Sequence, residues 1–172
     1  MWIDDHGWWL VNVEFQPSSW RIGSYLNIGE QHLWCERDHF VFERHERPAG
    51  GTTFIEFTGN EAAFEEAMTG LAKRVAAAVL ARRQEHREGH EALRFVAATA
   101  DDFNAGVALG LLGDAGAAEA RLDGAIHTAF HAQAVRYRHS LVNGQFEAMA
   151  VAAVDRTRAR LKLPPADRIW RT

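Results

Sequence analysis

The sequence predicts an α+β fold in which a four-stranded antiparallel N-terminal sheet is followed by a C-terminal helical bundle. Three observations support this prediction. Alternating apolar residues dominate the first third of the chain, which is typical of strands. From about residue 60 onward, apolar residues recur at three- and four-residue steps in an Ala-rich sequence, which is typical of amphipathic helices. The connections between strand candidates are short, whereas parallel strands need long crossovers.

Four strand candidates account for the sheet. In the first, Trp9, Val11 and Val13 occupy one face of an extended segment, and Pro17 begins a turn after it. The clearest turn is the Pro-Ala-Gly-Gly run at residues 48–51, because Gly accepts positive φ and Pro cannot donate to a strand ladder. The candidates span residues 9–15, 21–28 with an extension through Trp34, 39–44 and 52–57.

The helical part begins at Asn60, a predicted N-cap followed by Glu61 in the first turn. The first helix is expected to run from residue 60 to about residue 87 and to cover the sheet with one apolar stripe. That stripe consists of Phe64, Met68, Leu71, Val75 and Val79. The remaining helix candidates start near Glu91, at 103 (to 112, capped by Asp102), at 117 (to 134) and at 146 (to 161).

The change of pattern also predicts the domain organisation. At 172 residues, the chain forms one compact domain or two small ones. We divide it into residues 1–88, a sheet with its packing helix, and residues 89–172, a helical bundle. The apolar stripes need partners, so we expect the two parts to dock as one compact unit.

Charge and composition exclude several classes of protein. The net charge is −4 and Arg is interleaved with Glu, so nucleic acid is not an expected partner. We interpret the local cluster of Arg156, Arg158 and Arg160 as a solvated helix face. No apolar run could span a bilayer and no secretion leader is recognisable, so we expect a cytoplasmic protein without a membrane partner. The single cysteine, Cys35, excludes an internal disulfide and is expected to be buried or half-buried.

One stretch resembles a bacterial family of unknown function. The residues that carry the resemblance are VEFQPS from Val13 and GSYLNIG from Gly23, which give an F-Q-x-S … N-x-G strand pair within residues 8–58. The preference for Arg over Lys and the abundance of Ala are also typical of GC-rich bacteria. The resemblance implies a small α+β domain without an assigned activity, and it transfers no catalytic residue. Members of the family usually carry a helix ahead of this strand, so a start upstream of Met1 is an open alternative.

Residues 103–126 are similar to a single tetratricopeptide-like helical hairpin. Small residues that let two helices approach closely alternate with large ones: Gly106, Gly113, Ala118 and Ala125 against Leu109 and Leu122. A shift of about 34 residues finds no second copy, and solenoids need about three repeats to bury a continuous core. We therefore interpret the segment as an ordinary helical hairpin rather than a peptide-binding array.

A candidate metal site lies in the predicted helix 117–134. His127 and His131 are four residues apart, so they would project from one helix face, with Asp123 one turn earlier. Zinc sites use three or four such ligands, but no HExxH motif accompanies the pair. The alternative is a polar helix face with incidental histidines.

Tryptophans form the candidate binding surface. Trp8, Trp20 and Trp34 are three of five that crowd the first 34 residues, and tryptophan is enriched at binding hot spots. Neighbouring residues on a strand point to opposite faces, so Trp8 and Trp9 cannot enter the same core layer. The alternative is that a second layer or a dimer mate covers the outer face.

Two hypotheses for function follow. The first is a non-enzymatic protein-interaction module that binds a protein partner or a second copy of the chain. It would bind through the tryptophan-bearing sheet face or the helical hairpin. The alternative is a small metal- or ligand-dependent enzyme that uses histidines of the C-terminal helices. No cofactor and no catalytic residue is predicted, because the sequence contains neither a G-x-S-x-G motif nor a phosphate-binding loop.

Overall fold

The computed structural model describes residues 2–17, 22–40, 44–45, 54–86 and 89–166. A small antiparallel N-terminal sheet is followed by six helices, which confirms the predicted α+β class. None of the described helices combines the length and the apolar character needed to cross a bilayer. The strands are β1 (Trp2–Asp5), β2 (Trp9–Pro17), β3 (Gly23–His32), β4 (Arg44–His45) and β5 (Phe54–Glu56). The helices are α1 (Glu61–His86), α2 (His90–Thr99), α3 (Asp102–Leu111), α4 (Ala115–Ala125), α5 (His131–Val142) and α6 (Phe146–Arg160).

The predicted count of four strands was wrong, because the sheet has three consecutive strands and two short ones. The additional strand, β1, pairs antiparallel with β2 and places Trp2 opposite Val13. β2 neighbours β3 in the sheet. β4 and β5 each pair antiparallel with a different stretch of β3, at Gly29–Glu30 and at Gly23–Tyr25. β1 is only four residues long, too short for a periodic pattern to reveal it.

The predicted strand edges differ from the observed ones in several places. β2 continues to Pro17, where a turn was predicted. The second strand does not extend through Trp34, because the chain turns into a short 3-10 helix at Leu33–Cys35 that Glu36 ends in a left-handed conformation, φ 54°. Of the predicted strand 39–44, the structure describes Arg44 as part of β4, and positions 41–43 lie outside the described residues. The predicted strand 52–57 contains β5, while positions 52 and 53 also lie outside them.

The chain divides into two compact units. The first comprises Met1–Gln31 and Phe40–Gln84, and the second comprises His32–His39 and Glu85–Thr172. The segment His32–His39 therefore belongs with the helices, although it lies within the predicted first part, residues 1–88. The docking of the two predicted parts stays a prediction.

In the first unit, β2 is buried along both faces over residues 9–13, rather than on the one face that its pattern indicated. The predicted apolar stripe of α1 is present, since Leu71, Val75 and Val79 are all buried. Phe64 of α1 meets Phe57 edge to face at a centroid distance of 5.5 Å. Aromatic pairs in this geometry contribute beyond their buried area.

The second unit is built around large aromatic side chains. Tyr137 of α5 contacts Phe103 of α3 and Phe146 of α6 edge to face, at 5.6 and 5.3 Å. Trp34 is fully buried, and its indole nitrogen donates to Asn104 Oδ1 at 2.7 Å. Because an indole N–H needs a partner when buried, this bond fixes the segment 32–39 against α3 within the unit. Cys35 is buried, as predicted.

The predicted helix 117–134 was wrong, because the structure ends α4 at Ala125 and begins α5 at His131. Between them, Thr128 Oγ1 donates to the carbonyl of Ala125 at 2.7 Å, and threonine side chains that bond the local backbone compete with helix continuation. Phe130 then stacks on Phe103 at 4.7 Å, which holds the turn against α3. The N-cap of α3 is Asp101, one residue before the predicted Asp102, and it accepts from Asn104 N.

Candidate functional site

The residues of the predicted metal site do not share a helix face. His127 lies in the turn after α4 and is exposed, while His131 is the first residue of α5. His131 Nδ1 donates to the carbonyl oxygen of Ile126 at 2.7 Å, and Asp123 Oδ1 lies 3.0 Å from Arg138 Nε. The helical spacing that suggested a metal site is therefore absent. A site formed by Asp123, His127 and His131 stays a prediction without that support.

Two of the three tryptophans predicted to bind a partner are buried. Trp8 is 3% exposed and lies edge to face against Trp9. Trp34 is fully buried and bonded to Asn104. Trp20 lies outside the described residues. The burial of Trp8 and Trp34 favours the alternative in which these side chains belong to a core.

The second unit carries an apolar groove between the end of α4 and α5, which we call the α4–α5 groove. Its cavity volume is about 320 Å³. Val135 and Val142 line it although they are 45% and 82% exposed. They lie seven residues apart on α5, so both face the same side of the helix. The complete lining consists of Glu119, Ile126, Val135, Arg138, His139 and Val142.

Ion pairs between α4 and α5 line the rim of this groove. Arg138 of α5 donates from Nε and Nη2 to Glu119 Oε1 of α4, at 3.3 and 3.1 Å. Its Nε also lies 3.0 Å from Asp123 Oδ1. All three side chains are about half exposed, so each pair contributes little to stability. The rim is therefore a polar, slightly acidic border around two exposed valines.

The first unit contains a second polar arrangement, at the hairpin between β1 and β2. Asp4 accepts from Arg83 of α1, with Nε at 2.7 Å from Oδ2 and Nη2 on Oδ1, and its Oδ2 also lies 2.8 Å from His6 Nε2. The His6 ring stacks on Trp9 with 4.0 Å between centroids. Burial raises the pKa of the Asp4 carboxyl, but the hydrogen bonds from Arg83 and His6 outweigh it and hold the pKa below its usual range.

The chemistry of this arrangement is that of an oriented imidazole. The Asp4 carboxylate accepts a hydrogen bond from His6 Nε2, and this bond orients the imidazole ring. His6 keeps about a quarter of its side chain exposed, whereas Asp4 keeps 8%. The described contacts among Asp4, His6 and Arg83 lie within the first unit. They attach the β1–β2 hairpin to α1.

Sequence reasoning missed both arrangements, for different reasons. The groove had a usable signal, because Val135 and Val142 recur at a two-turn interval on one face of α5. No local sequence signal connects Asp4 with Arg83, because 79 residues separate them in the chain. Comparison of the chain with protein-family models, with curated proteins and with solved structures found no match.

Proposed function

We propose that this chain is a protein-interaction module whose α4–α5 groove binds an amphipathic helix of a partner protein. The observation that carries the proposal is the exposure of Val135 and Val142 in one groove. Single exposed apolar residues need no explanation, but apolar surface that is grouped in a groove and rimmed by polar groups marks interaction sites. An amphipathic helix in a groove is a recurring mode of protein recognition.

The spacing of the two valines indicates the shape of the partner. Val135 and Val142 lie two turns apart on α5, or about 10.5 Å along the helix axis. A partner helix that carries apolar side chains at positions i, i+4 and i+7 contacts both. At about 320 Å³, the groove lies at the lower end of the range for drug-sized ligands, about 300 to 1,000 Å³.

The rim indicates the charge of the partner. Glu119 and Asp123 contribute two negative charges and Arg138 contributes one positive charge, so the rim carries −1 in total. A lysine or arginine beside the apolar stripe of the partner helix complements it. Rim charges of this kind act mainly on the association rate and on specificity.

A peptide selection tests the proposal. Displayed amphipathic peptides are selected for binding to the wild-type protein and counter-selected against the Val142→Asp variant. We expect enriched peptides that combine the i, i+4, i+7 apolar pattern with a basic residue. By fluorescence anisotropy, their Kd should rise at least about tenfold for Val142→Asp and for Val135→Asp, as expected for central contacts.

Leu80→Asp is the matched control. Leu80 is 54% exposed on α1, so the substitution introduces the same charge at a comparably exposed helical position outside the groove. The control should bind the selected peptides like the wild type. Equal binding by the Val142→Asp variant, or failure to enrich any peptide against it, would contradict the proposal. A wild-type dimer in light scattering that the Val142→Asp variant lacks would instead identify a second copy as the occupant.

A further inference from the structure

In the second unit, a further polar site is organised around Glu36, the residue that follows the 3-10 helix. Its carboxylate is 10% exposed and accepts from two arginines, with Arg136 Nη2 at 2.7 Å from Oε2 and Arg156 Nε at 2.7 Å from Oε1. The carbonyl oxygen of Glu36 accepts from Arg160 Nη1 at 3.1 Å. Two helices, α5 and α6, thus direct three guanidinium groups at one residue.

The arginines have more donors than Glu36 can use. Each guanidinium offers five N–H groups, and each of these three gives Glu36 only one nitrogen. Within the described part of the chain, the other nitrogens of Arg136 and Arg156 make no further hydrogen bond. Both side chains are about half exposed, at 53% and 46%, so these nitrogens are accessible to a ligand.

The charge around this residue is positive although the chain as a whole carries −4. Asp38 is close enough to Arg160 for the two to interact electrostatically, and it is bonded to His39 at 2.6 Å. The three arginines that contact Glu36 outnumber the two carboxylates, which leaves a charge of +1. The residues of this count, which we call the Glu36 arginine cluster, are Glu36, Asp38, Arg136, Arg156 and Arg160.

The carboxylate of Glu36 is itself an anion bound by the arginines of the cluster. Burial raises the pKa of its carboxyl, but the hydrogen bond from Arg156 and the positive charges of Arg136 and Arg156 outweigh burial and keep it ionised. The residue has a left-handed backbone, φ 54°, which a side chain other than glycine adopts only when its surroundings hold it. The two bonds to its carboxylate show the geometry in which Arg136 and Arg156 hold an oxyanion.

We propose that the Glu36 arginine cluster is a binding site for a phosphate group. A phosphate monoester carries about −1.5 to −2 at neutral pH, so the three guanidinium groups attract it more strongly than they attract a carboxylate, which carries only −1. Planar guanidinium groups bind phosphate oxygens through pairs of N–H donors, and Arg136 and Arg156 keep such donors beside Glu36. The interpretation of Arg156 and Arg160 as a merely solvated helix face does not account for their convergence on Glu36.

The test is titration of the 172-residue protein with inorganic phosphate at constant ionic strength. Binding is followed by NMR shifts of backbone amides, and sodium chloride replaces phosphate in the reference series. We expect saturable binding, weakened at least about fivefold by Arg156→Gln and by Arg160→Gln, since each removes one charge from the site. Arg160→Gln disturbs the fold least, because Arg160 bonds only a carbonyl oxygen of the cluster. A parallel titration with phenyl phosphate and with a phosphoserine peptide distinguishes free phosphate from a phosphate ester.

Two further variants test whether phosphate binding is specific to the Glu36 arginine cluster. Arg138→Gln changes an arginine on α5 that pairs with Glu119 and Asp123 and not with Glu36, so phosphate binding should persist. Glu36→Gln removes the competing negative charge while retaining an acceptor oxygen, so phosphate binding should tighten. Absence of saturable binding in the wild type would overturn the proposal. An equal loss in Arg138→Gln, or no response to Glu36→Gln in a protein with the wild-type circular dichroism spectrum, would also overturn it.

Discussion

At the scale of single residues, Asp4 illustrates how burial and hydrogen bonding compete for one carboxyl group. Burial alone favours the neutral acid, because the charged form loses its hydration. Arg83 and His6 reverse this preference by donating to both carboxylate oxygens, and the pKa of Asp4 is lowered as a result. The group therefore stabilises the folded chain only while it is ionised.

This argument predicts a specific pH dependence. The folded pKa of Asp4 lies below its unfolded value of about 4, so its contribution is complete above about pH 4 and is lost as the pH falls through the folded pKa. Asp4→Asn should lower the free energy of unfolding at neutral pH by about 1–2 kcal/mol, a value reduced because Arg83 is half exposed. Urea unfolding at several pH values should show the difference from the wild type shrinking below about pH 4.

Asp155→Asn is the control for this measurement. Asp155 is exposed on α6, so its substitution changes one charge without removing a buried carboxylate. The control should follow the wild-type stability curve through acid pH. A constant difference between Asp4→Asn and the wild type over the whole range would show that Asp4 contributes through packing and not through its charge.

Residues with local roles were easier to predict than residues with distant partners. Asn60 was predicted to cap α1, and its Oδ1 accepts from Ala63 N at 3.1 Å. Helix capping can be predicted from the sequence because the capping side chain and the backbone N–H that it binds lie within three residues of each other. The Asp4–Arg83 and Glu36–Arg156 pairs join residues 79 and 120 positions apart, and no local pattern encodes such a distance.

At the scale of elements, small residues determine how closely the helices of the second unit approach. A Cβ built on Gly106 would lie 2.8 Å from Leu122 Cγ, and one built on Gly110 would lie 2.3 Å from Phe146 Cε1. Both distances are shorter than the contacts that Cβ atoms make with other heavy atoms in folded proteins. The helical hairpin of α3 and α4 therefore depends on glycine at Gly106, one of the small positions that the sequence analysis identified, while the tetratricopeptide-like resemblance stays a prediction.

A pair of Gly→Ala substitutions tests this dependence. Gly110→Ala should lower the free energy of unfolding by about 1–3 kcal/mol, because the added methyl group displaces Phe146. Gly116→Ala should raise it by up to about 1 kcal/mol, because a Cβ at this position in α4 meets nothing within 4 Å and alanine favours the helix. Chemical denaturation measures both. Equal effects of the same sign would mean that the close contact at Phe146 is not what requires glycine.

The periodic spacing of apolar residues predicted most of the helices and strands. It failed where side-chain contacts outweigh the local pattern. The apolar stripe of α1 repeats over about four turns, and the helix was predicted within one residue at each end. The turn between α4 and α5 was missed because alanine and histidine continue the helical pattern, while Thr128 and the stack of Phe130 on Phe103 end it. A tertiary contact thus outweighed local helix propensity.

At the scale of the whole molecule, the second unit includes a segment that is remote in sequence. His32–His39 belongs with Glu85–Thr172, and it supplies the buried side chains Leu33, Trp34 and Cys35. Trp34 and Cys35 both donate to Asn104 Oδ1, at 2.7 and 3.3 Å. The helices after residue 85 therefore lack part of their core when this segment is removed.

Truncation tests this composition of the unit. A fragment of residues 85–172 should remain helical in far-ultraviolet circular dichroism but lose a sharp unfolding transition, because Asn104 and the aromatic core lose the cover of Trp34. A fragment of residues 32–172 contains both segments of the unit and serves as the control, with a cooperative transition expected. Identical unfolding midpoints for the two fragments would contradict the assignment of residues 32–39 to the core.

The sequence by itself determined the fold class, the change from strands to helices near residue 60 and the position of most helices, because these follow from the spacing of apolar residues along a short window. Only the tertiary structure decided that Trp8 and Trp34 are buried, that Val135 and Val142 share an exposed groove, and that Glu36 lies between arginines of two helices. The physical reason is that burial and charge pairing depend on which distant segments meet. That information arises from packing and chain topology and is not present in any local pattern.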